Sequence, residues 1–408
     1  EGLGFAPITF LFHHHPFISR PIVLKKYPSG LRPRIMVVLP SLKMGGAERA
    51  ITALLASVDQ TRAEWHLVLI HPRADEAYTV PKGVIVHQLQ HARLLTALPT
   101  LLIKVHRYRP TTVISTLTHL NITLCGVRIF FPKSTRLICR EASLLRTNSE
   151  QEKVPKLFRS LVRCCYPLAD HIVCLSNQMK RELASHATFS KDQLQVIPNG
   201  LALEMNGENE DRQRSHTSKT ESPFTTSLIT ESPFAQQGSG PHIIVVGRLD
   251  PNKQGDVAIK AFASWSVSYP TAQLWFLGTG TCAETWSQLT HDLNLSDVVH
   301  FTGQQDDLIP WYQHADLMLM TSKQEGLPNV LIEAIALSCP VQVLQHEGGG
   351  LEILKQVGLE DRWVTQLDEP LFDKSQCSSA AQACRITYSI EYMTSAWERL
   401  IFTEHDET

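Results

Sequence analysis

The feature that most constrains the fold of this chain is a repeated alternation of short apolar runs with helix-length segments. The runs are apolar throughout rather than at alternate positions. Strands that are buried on both faces and joined by helices form parallel sheets. We therefore predict an α/β fold with two doubly wound domains that face each other across a cleft. The predicted strands cover residues 34–39, 67–70, 84–86, 112–115, 136–139, 172–175 and 195–197, and then 242–246, 274–277, 298–301, 317–320 and 341–344.

Composition sets the limits of these two Rossmann-like domains. Residues 34–203 and 241–385 carry the predicted strands, whereas residues 204–240 are rich in Glu, Asn, Ser, Thr and Pro and are typical of a polar linker or insert. In that linker Glu221-Ser-Pro-Phe224 recurs as Glu231-Ser-Pro-Phe234. The repeat is either a docking motif or a local duplication in a tolerant loop.

The two ends of the chain lie outside this pattern. Residues 386–408 hold apolar residues at helical spacing, so we predict a C-terminal helix that packs back toward the N-terminal domain. Residues 1–33 are treated as an N-terminal tail. Its His13-His14-His15 triplet is either a metal site or part of a loosely packed segment.

Membrane-spanning helices and disulfides are not expected. Charged residues, prolines or histidines interrupt the apolar runs well before the roughly 18 residues that a spanning helix needs. The nine cysteines include no C-x-x-C pair, which is typical of a protein in a reduced compartment. We therefore predict a cytoplasmic protein.

The net charge of −2 conceals two halves of opposite sign. Residues 1–200 hold 26 Lys and Arg against 12 Asp and Glu, whereas residues 201–408 hold 12 against 28. A basic half suits an anionic partner, and nucleic acid and an anionic membrane surface are the two candidates.

A basic amphipathic segment lies within the basic half. Residues 154–165 place apolar side chains at helical spacing beside Lys153, Lys156, Arg159 and Arg163. The segment is either a helix packed on the core with a solvated charged face, or a peripheral contact with anionic lipid on the cytoplasmic face of a membrane.

Glu325 and Glu333 are informative through the elements around them, since their spacing alone would mean little. Glu325 follows the predicted strand 317–320, and Pro328 suits the first turn of a helix. The free amides and positive dipole end of that helix suit a phosphate or an electron-rich sugar oxygen. A ligand lying along the helix would meet both carboxylates. Otherwise Glu325 is a solvated loop residue and Glu333 a partner of the helix dipole.

Two cations follow the first strand of the second domain. Arg248 and Lys253 lie at the carboxyl end of that strand, where doubly wound sheets bind ligands. Arg binds phosphate oxygens bidentately and Lys supplies a point charge. Together they suit a pyrophosphate.

These residues resemble the GT-B glycosyltransferases of family four, and the resemblance covers roughly residues 34–360. The second domain carries, in the family's order, Gly247-Arg248-Leu249, Lys253, Thr302-Gly303, Ala315-Asp316, Glu325-Gly326, Pro328-Asn329-Val330, Glu333-Ala334 and Pro340-Val341. The first domain carries the glycine loop Gly45-Gly46-Ala47-Glu48-Arg49 and the closing segment Ile197-Pro198-Asn199-Gly200. The sequence departs from the family at Ser338-Cys339 and at residues 346–352, where the glycine turn is longer than usual.

The resemblance implies a role for each domain, with the acceptor bound by the first and the nucleotide sugar mainly by the second. Glu325 would hold the sugar and Glu333 the ribose. The residues implied to bind the donor are Gly45, Gly46, Arg248, Lys253, Gly303, Glu325, Gly326, Leu327, Pro328, Asn329, Val330 and Glu333. Those implied to be catalytic are Glu325, His119, Arg248 and Lys253, and those implied to contact the acceptor are Arg140 and Glu141.

The reaction that the resemblance implies moves a glycosyl unit from a nucleoside diphosphate sugar to a saccharide or lipid-linked saccharide acceptor. The anomeric configuration would be retained, a UDP-sugar is the expected donor, and cell-envelope polysaccharide or glycan synthesis is the expected setting. We expect no cofactor. Arg, Lys and amide groups handle the diphosphate, and no D-x-D motif follows a predicted strand, so no metal is required.

Three other interpretations stay open. The chain could be a GT-B nucleotide-sugar epimerase or a non-catalytic nucleotide-sugar-binding assembly subunit, although Arg248, Lys253, Glu325 and Glu333 together favour a transferase. A nucleic-acid binder is the weakest interpretation. The basic half does not interleave aromatic and basic residues as nucleic-acid modules do, and the acidic half would repel phosphate chains.

Overall fold

The structure is a computed structural model that describes residues 32–43, 45–71, 78–144, 156–201, 232–235 and 239–402. It contains two parallel sheets, one in each half of the chain, with helices packed on both faces of each. The predicted α/β fold with two Rossmann-like domains is confirmed. Within the described ranges, no helix combines the length and the apolar character that crossing a membrane requires.

The first domain is built on a seven-stranded parallel sheet. Its strands are β1 (Arg34–Leu39), β2 (Glu64–Leu69), β3 (Ile85–Gln88), β4 (Thr112–Thr116), β5 (Arg136–Arg140), β6 (His171–Cys174) and β7 (Leu194–Val196). They lie in the order β3-β2-β1-β4-β5-β6-β7. The order reverses between β1 and β4, the switch point at which doubly wound sheets bind ligands.

Helices cover both faces of this sheet because its central strands are buried on both sides. The helices are α1 (Gly46–Ser57), α2 (Leu94–Tyr108), α3 (Thr118–Gly126), α4 (Lys156–Cys165) and α5 (Asn177–His186). Along β1 successive side chains alternate between the faces. Val37 joins the core under α1, and Met36 and Val38 join the core under α2 to α5.

The second domain repeats the arrangement. Its strands are β8 (His242–Val246), β9 (Gln273–Leu277), β10 (Val299–Gly303), β11 (Leu317–Met320), β12 (Gln324–Glu325), β13 (Val341–Leu344), β14 (Glu347–Gly348) and β15 (Trp363–Val364). Six of them form the sheet β10-β9-β8-β11-β13-β15, which reverses between β8 and β11, and β12 pairs with β14 as a separate ladder. Its helices are α6 (Gly255–Trp265), α7 (Ala283–Asp292), α8 (Ile309–His314), α9 (Asn329–Ala336), α10 (Gly350–Val357) and α11 (Cys377–Thr387).

Phe234, which the sequence analysis places in the polar linker, belongs to the core of the second domain. Its side chain is only 3% exposed. The ring stacks on His242 with centroids 4.1 Å apart and meets Trp275 and Trp311 at 5.3 and 5.2 Å. The second copy of the repeated tetrapeptide therefore includes a packing residue, while the first copy lies outside the described residues.

The last helix, α12 (Ile390–Phe402), lies on the first domain. Its Trp397 is 2% exposed within the core that also contains α1. Where the chain passes from one domain to the other, Leu201 N donates to Tyr388 O at 2.7 Å. A Cβ on Gly200 would lie 2.9 Å from Ile390 Cα. The start of the first connection, at Leu201, therefore lies beside the second, at Tyr388 to Ile390, and residues 202–231 lie outside the described residues.

Trp397→Ala is expected to lower the free energy of unfolding by about 3 to 5 kcal/mol, because removal of a buried aromatic ring leaves a cavity. Urea denaturation followed by circular dichroism measures this loss. Tyr392, on the same helix, is 49% exposed, and Tyr392→Ala is the matched control, with an expected change within about 0.5 kcal/mol. Equal losses in the two variants would contradict the packing of α12.

Candidate functional site

The switch points of the two sheets face each other across the domain boundary. Several hydrogen bonds join the two sides. Ser176 Oγ donates to Gly326 O at 3.2 Å, and Asn199 Nδ2 donates to Asn329 Oδ1 at 2.9 Å. On the outer side, Asn177 Nδ2 donates to Glu352 Oε1 at 2.7 Å. The cleft predicted from the sequence is thus lined by the carboxyl ends of both sheets.

An ion pair between Lys253 and Glu325 occupies the carboxyl edge of the second sheet. Lys253 Nζ lies 2.7 Å from Glu325 Oε1, and the side chains are 18% and 17% exposed. Thr321 Oγ1, directly after β11, donates to Lys253 O at 2.8 Å and fixes the loop. Burial alone would raise the pKa of Glu325, but the Lys253 ammonium and the Ser322 hydroxyl outweigh it, so the pKa is lowered. Glu325 is therefore a carboxylate that accepts hydrogen bonds.

The β12–β14 ladder fixes the backbone of Glu325. Gly348 pairs with Glu325 at a φ of +119°. A Cβ on Gly348 would lie 1.5 Å from Glu325 O, so the close approach requires glycine. In the sequence this glycine turn is recognisable only as a departure from the family pattern.

His346 is a further residue near Glu325 that the sequence analysis did not assign. Its Nδ1 donates to Leu344 O at 3.1 Å, which leaves Nε2 as the acceptor nitrogen. Burial lowers the pKa of His346 despite the nearby Glu325 carboxylate. The imidazole is therefore neutral at neutral pH.

The residues from Gly326 to Val330 connect Glu325 to α9. The helix begins at Asn329, and Pro328 is its N-cap residue, one position before the first turn that the sequence predicts. The reason is the extended backbone of Pro328, with a ψ of 100°. A Cβ on Gly326 would lie 3.0 Å from Ala142 O of the first domain. Leu327 is buried, and Val330 is half-buried against the core.

Glu333 has a partner that the sequence analysis missed. Arg49 NH1, from the first turn of α1, lies 2.7 Å from Glu333 Oε1. Tyr312 OH donates to Glu333 Oε2 at 3.2 Å. Burial raises the pKa of Glu333, and Arg49 acts against that rise. Arg49 belongs to the glycine-loop motif, but 284 residues separate it from Glu333 in the chain, and no local pattern predicts the contact.

Arg248 and Gly303 stand at the ends of β8 and β10. The Arg248 side chain is 85% exposed and lies 3.5 Å from Asp250, so a ligand can reach it. Gly303 adopts a φ of +72°, a left-handed conformation that favours glycine. Both positions lie at the edge of the sheet where the resemblance places the donor.

The glycine loop brings the start of α1 close to the second domain. A Cβ on Gly46 would lie 3.5 Å from Asn329 Nδ2, and a Cβ on Gly45 would lie 2.2 Å from Glu48 Oε2. Burial raises the pKa of Glu48, and the charges of Arg140 and Arg248 offset only part of that rise. Glu48 is thus another acidic group beside the cleft to which the sequence analysis gave no role.

His119 is the second residue of α3, at the carboxyl end of β4. The preceding Leu117 has φ 77° and ψ 131°, a conformation that is strained for a side chain with a Cβ. Such strain is typical of functional sites. Burial, together with the charge of His71, lowers the pKa of His119, so the imidazole is neutral at neutral pH.

Arg140 and Glu141 end β5 and begin the next loop, but both side chains are buried at 2% exposure. Arg140 donates to Thr116 Oγ1 at 2.9 Å and to Asn199 Oδ1 at 2.6 Å. Glu141 accepts from Thr118 Oγ1 and Tyr166 OH. Burial raises the pKa of Glu141, and these hydrogen bonds oppose it. The predicted acceptor contact would require both side chains to change partners.

Potential metal ligands are not grouped in the part of the chain that the structure describes. No three His, Cys, Asp or Glu side chains there are arranged to hold an ion. Asp307, which is adjacent to Asp306, is exposed and accepts from Ile309 N at 2.9 Å. The metal-independent reaction stays a prediction.

Two family profiles match the two domains. Residues 231–364 match the profile described as "Glycosyl transferases group 1", and residues 44–205 match "Glycosyltransferase Family 4". The chain belongs to the group 1 glycosyltransferases of the GT-B fold. The matched residues of this glycosyltransferase include Arg248, Lys253, Glu325 and Glu333 in one profile and Gly45 in the other.

Named relatives and solved structures are similar to this glycosyltransferase. It is 26% identical over 335 residues to N-acetylgalactosamine-N,N'-diacetylbacillosaminyl-diphospho-undecaprenol 4-alpha-N-acetylgalactosaminyltransferase of Campylobacter jejuni, covering 78% of this chain and 83% of that one. An uncharacterised glycosyltransferase of Methanocaldococcus jannaschii is 27% identical over 210 residues, which is 51% of this chain but only 47% of that protein. Anabaena HepE in complex with UDP and glucose superposes with a TM-score of 0.69 at 17% identity, covering 91% of this chain and 100% of that one.

Proposed function

We propose that this glycosyltransferase moves a hexosyl unit from a nucleoside diphosphate sugar to a saccharide or lipid-linked saccharide, with retention at the anomeric carbon. The observation that carries the proposal is the Lys253–Glu325 ion pair, which lies just before the N-terminus of α9. The neighbouring Gln324 Nε2 donates to Leu144 O of the first domain at 3.3 Å. A fixed cation, a fixed carboxylate and free helix amides suit a ligand that joins a diphosphate to a sugar.

The proposed chemistry uses these groups to stabilise the leaving diphosphate. When the bond between the anomeric carbon and the phosphate oxygen breaks, its electron pair goes to the diphosphate. Arg248, Lys253 and the amides at the start of α9 would stabilise that charge. The acceptor oxygen bonds to the same face of the anomeric carbon, and its proton passes to a donor phosphate oxygen.

The two carboxylates have binding roles in this proposal. Glu325 would accept hydrogen bonds from sugar hydroxyls, which suits its lowered pKa. Glu333 would accept from the ribose hydroxyls. His119 would lie near the donor sugar as a neutral hydrogen-bonding group, and the positive charges of Arg248 and Lys253 would take the place of a metal.

The relatives support a UDP-sugar donor and a lipid-linked acceptor in the synthesis of envelope glycans. HepE was crystallised with UDP and glucose, and the Campylobacter jejuni enzyme is named for a diphospho-undecaprenol substrate. We propose a cytoplasmic protein that contacts the cytoplasmic face of the membrane through its basic half.

The described part of the basic segment fits this membrane contact. In α4, Val162 is 1% exposed and anchors the helix in the core. Arg159 and Arg163 are exposed, and Leu161 is 39% exposed. Lys153 and Val154 lie outside the described residues. An anchored helix with cations and a leucine on its outer side suits an anionic lipid surface.

Neutralising the four cations Lys153, Lys156, Arg159 and Arg163 to Gln should weaken binding to liposomes that contain anionic lipid, by about 1 kcal/mol for each cation that reaches the surface. Co-sedimentation at low and high salt measures the loss. Lys260→Gln and Lys355→Gln, in the acidic half, are the control. Unchanged liposome binding in the fourfold variant would rule out a membrane role for these residues.

One experiment tests the proposed function directly. Release of nucleoside diphosphate is measured across a panel of nucleotide sugars, with and without saccharide and lipid-linked acceptors. If the proposal is right, release of nucleoside diphosphate depends on the acceptor. The new linkage in the product then has the donor's anomeric configuration. Conversion of the nucleotide sugar without an acceptor would indicate an epimerase, and binding without any turnover would indicate an assembly subunit.

A further inference from the structure

Glu333 stands where the ribose of the proposed donor would lie, so this inference rests on the proposed function. An ionised carboxylate offers about four lone-pair positions. Arg49 NH1 occupies one on Oε1 at 2.7 Å, and Tyr312 OH occupies one on Oε2 at 3.2 Å. About two positions are left, which matches the two O–H donors of a vicinal diol.

The buried position of Glu333 makes its charge depend on Arg49. The residue is 4% exposed, and a buried carboxylate without a nearby cation takes up a proton. Burial raises the pKa of Glu333, and Arg49 opposes that rise. Tyr312 cannot supply a positive charge, because a phenol is either neutral or anionic, and burial raises the pKa of this one so that it stays a neutral donor. A protonated Glu333 would accept fewer hydrogen bonds from a diol.

Arg49 reaches Glu333 from the other domain. A second contact lies beside it, where Asn199 of the first domain donates to Asn329 Oδ1 at the start of α9. Asn199 is itself fixed by Arg140 NH2 at 2.6 Å. Arg49, Asn199, Asn329 and Glu333 line one small cavity between the domains. The surroundings of Glu333 are therefore complete only when the two domains are docked.

We propose that Arg49 is a positioning residue for the donor ribose, and that its pairing with Glu333 makes recognition of the 2′ and 3′ hydroxyls depend on docking of the first domain. Arg248 and Lys253 belong to the second domain and hold the diphosphate without this contact. The phosphate part of the donor is thus recognised by one domain and the ribose by both. Arg49 then determines selectivity for a ribonucleotide over a deoxyribonucleotide.

The test compares ribose recognition in wild-type protein and Arg49 variants. Isothermal titration calorimetry gives Kd values for UDP and GDP and for their 2′,3′-dideoxy counterparts. In the wild type the dideoxy form of the preferred nucleotide should bind at least about tenfold more weakly, because hydrogen bonds to a charged acceptor are lost. In Arg49→Met the two forms should bind within about threefold of each other. Arg49→Lys, which keeps the charge, should restore part of the difference.

The matched control is Arg62→Met. Arg62 is also in the first domain and pairs with Glu398 at 3.1 Å, on α12. It should keep the wild-type ratio. If Arg49→Met does not fold, Arg49→Gln takes its place in the test, because its amide can still donate a hydrogen bond but has no charge.

The two possible failures can be told apart. A folded Arg49→Met or Arg49→Gln variant that keeps the wild-type ratio overturns the role of Arg49, while the proposed nucleotide-sugar donor stands. If wild-type protein binds neither UDP nor GDP, the UDP-sugar donor of the proposed function and the ribose role of Arg49 are both overturned.

Discussion

Lys253→Met should lower the turnover number for sugar transfer by at least about a hundredfold while the protein stays folded. The substitution keeps the length of the side chain but removes the cation that would stabilise the leaving diphosphate, and loss of one such group typically costs this much. Release of nucleoside diphosphate at saturating donor and acceptor measures the rate. Circular dichroism checks the fold.

Lys260→Met is the matched control for this prediction. Lys260 lies on α6 and pairs with Asp256 at 3.2 Å, with its side chain 61% exposed. Because it is a surface cation in the same domain, its loss should leave the rate unchanged. A Lys253→Met variant with the wild-type rate would refute the assignment of Lys253 to the diphosphate.

Glu325→Gln should lower turnover by about a hundredfold for a different reason. The amide keeps the shape of the side chain but loses the negative charge that holds Lys253 and would accept from sugar hydroxyls. Steady-state rates with the preferred nucleotide sugar measure the effect. Glu284→Gln, at an exposed position on α7, is the control and should keep the wild-type rate.

The pH dependence gives a second measurement on Glu325. Because its pKa in the folded protein is below the usual value of 4.5, the side chain stays charged as the pH falls through the ordinary carboxyl range. If protonation of Glu325 lowers kcat/KM as the pH falls, that decrease should therefore be centred below pH 4.5. A Glu325-dependent fall centred well above that value would contradict the ion pair with Lys253.

Most of the fold could be predicted because its strands are apolar on both faces. Residues 317–320 and 242–246, for example, were predicted as strands with the bounds that β11 and β8 have. The prediction missed β12, β14 and β15, which have two residues each. Such strands are too short to show a hydrophobic pattern. They form because tertiary contacts, such as the approach of Gly348 to Glu325, bring the backbones together.

The site was predictable where its residues share a motif and not where they depend on the placement of the domains. Lys253 and Glu325 could be placed at the same edge of one sheet because each follows a predicted strand. The partners Arg49 and Asn199 were not found, because their contacts form only across the domain boundary. Arg140 was located correctly at the end of β5, but the direction and burial of its side chain depend on Thr116 and Asn199.

The chain segments that meet at Gly200 and Ile390 limit how the two domains can move. Because the connection that precedes Ile390 joins the domains at this place, we expect them to rotate about it more easily than they slide or separate. Gly200 and Leu201 also line the cavity that contains Arg49 and Glu333, which places that contact close to the rotation axis. Any rotation that opens the cleft would still part Arg49 from Glu333, because the two residues belong to different domains.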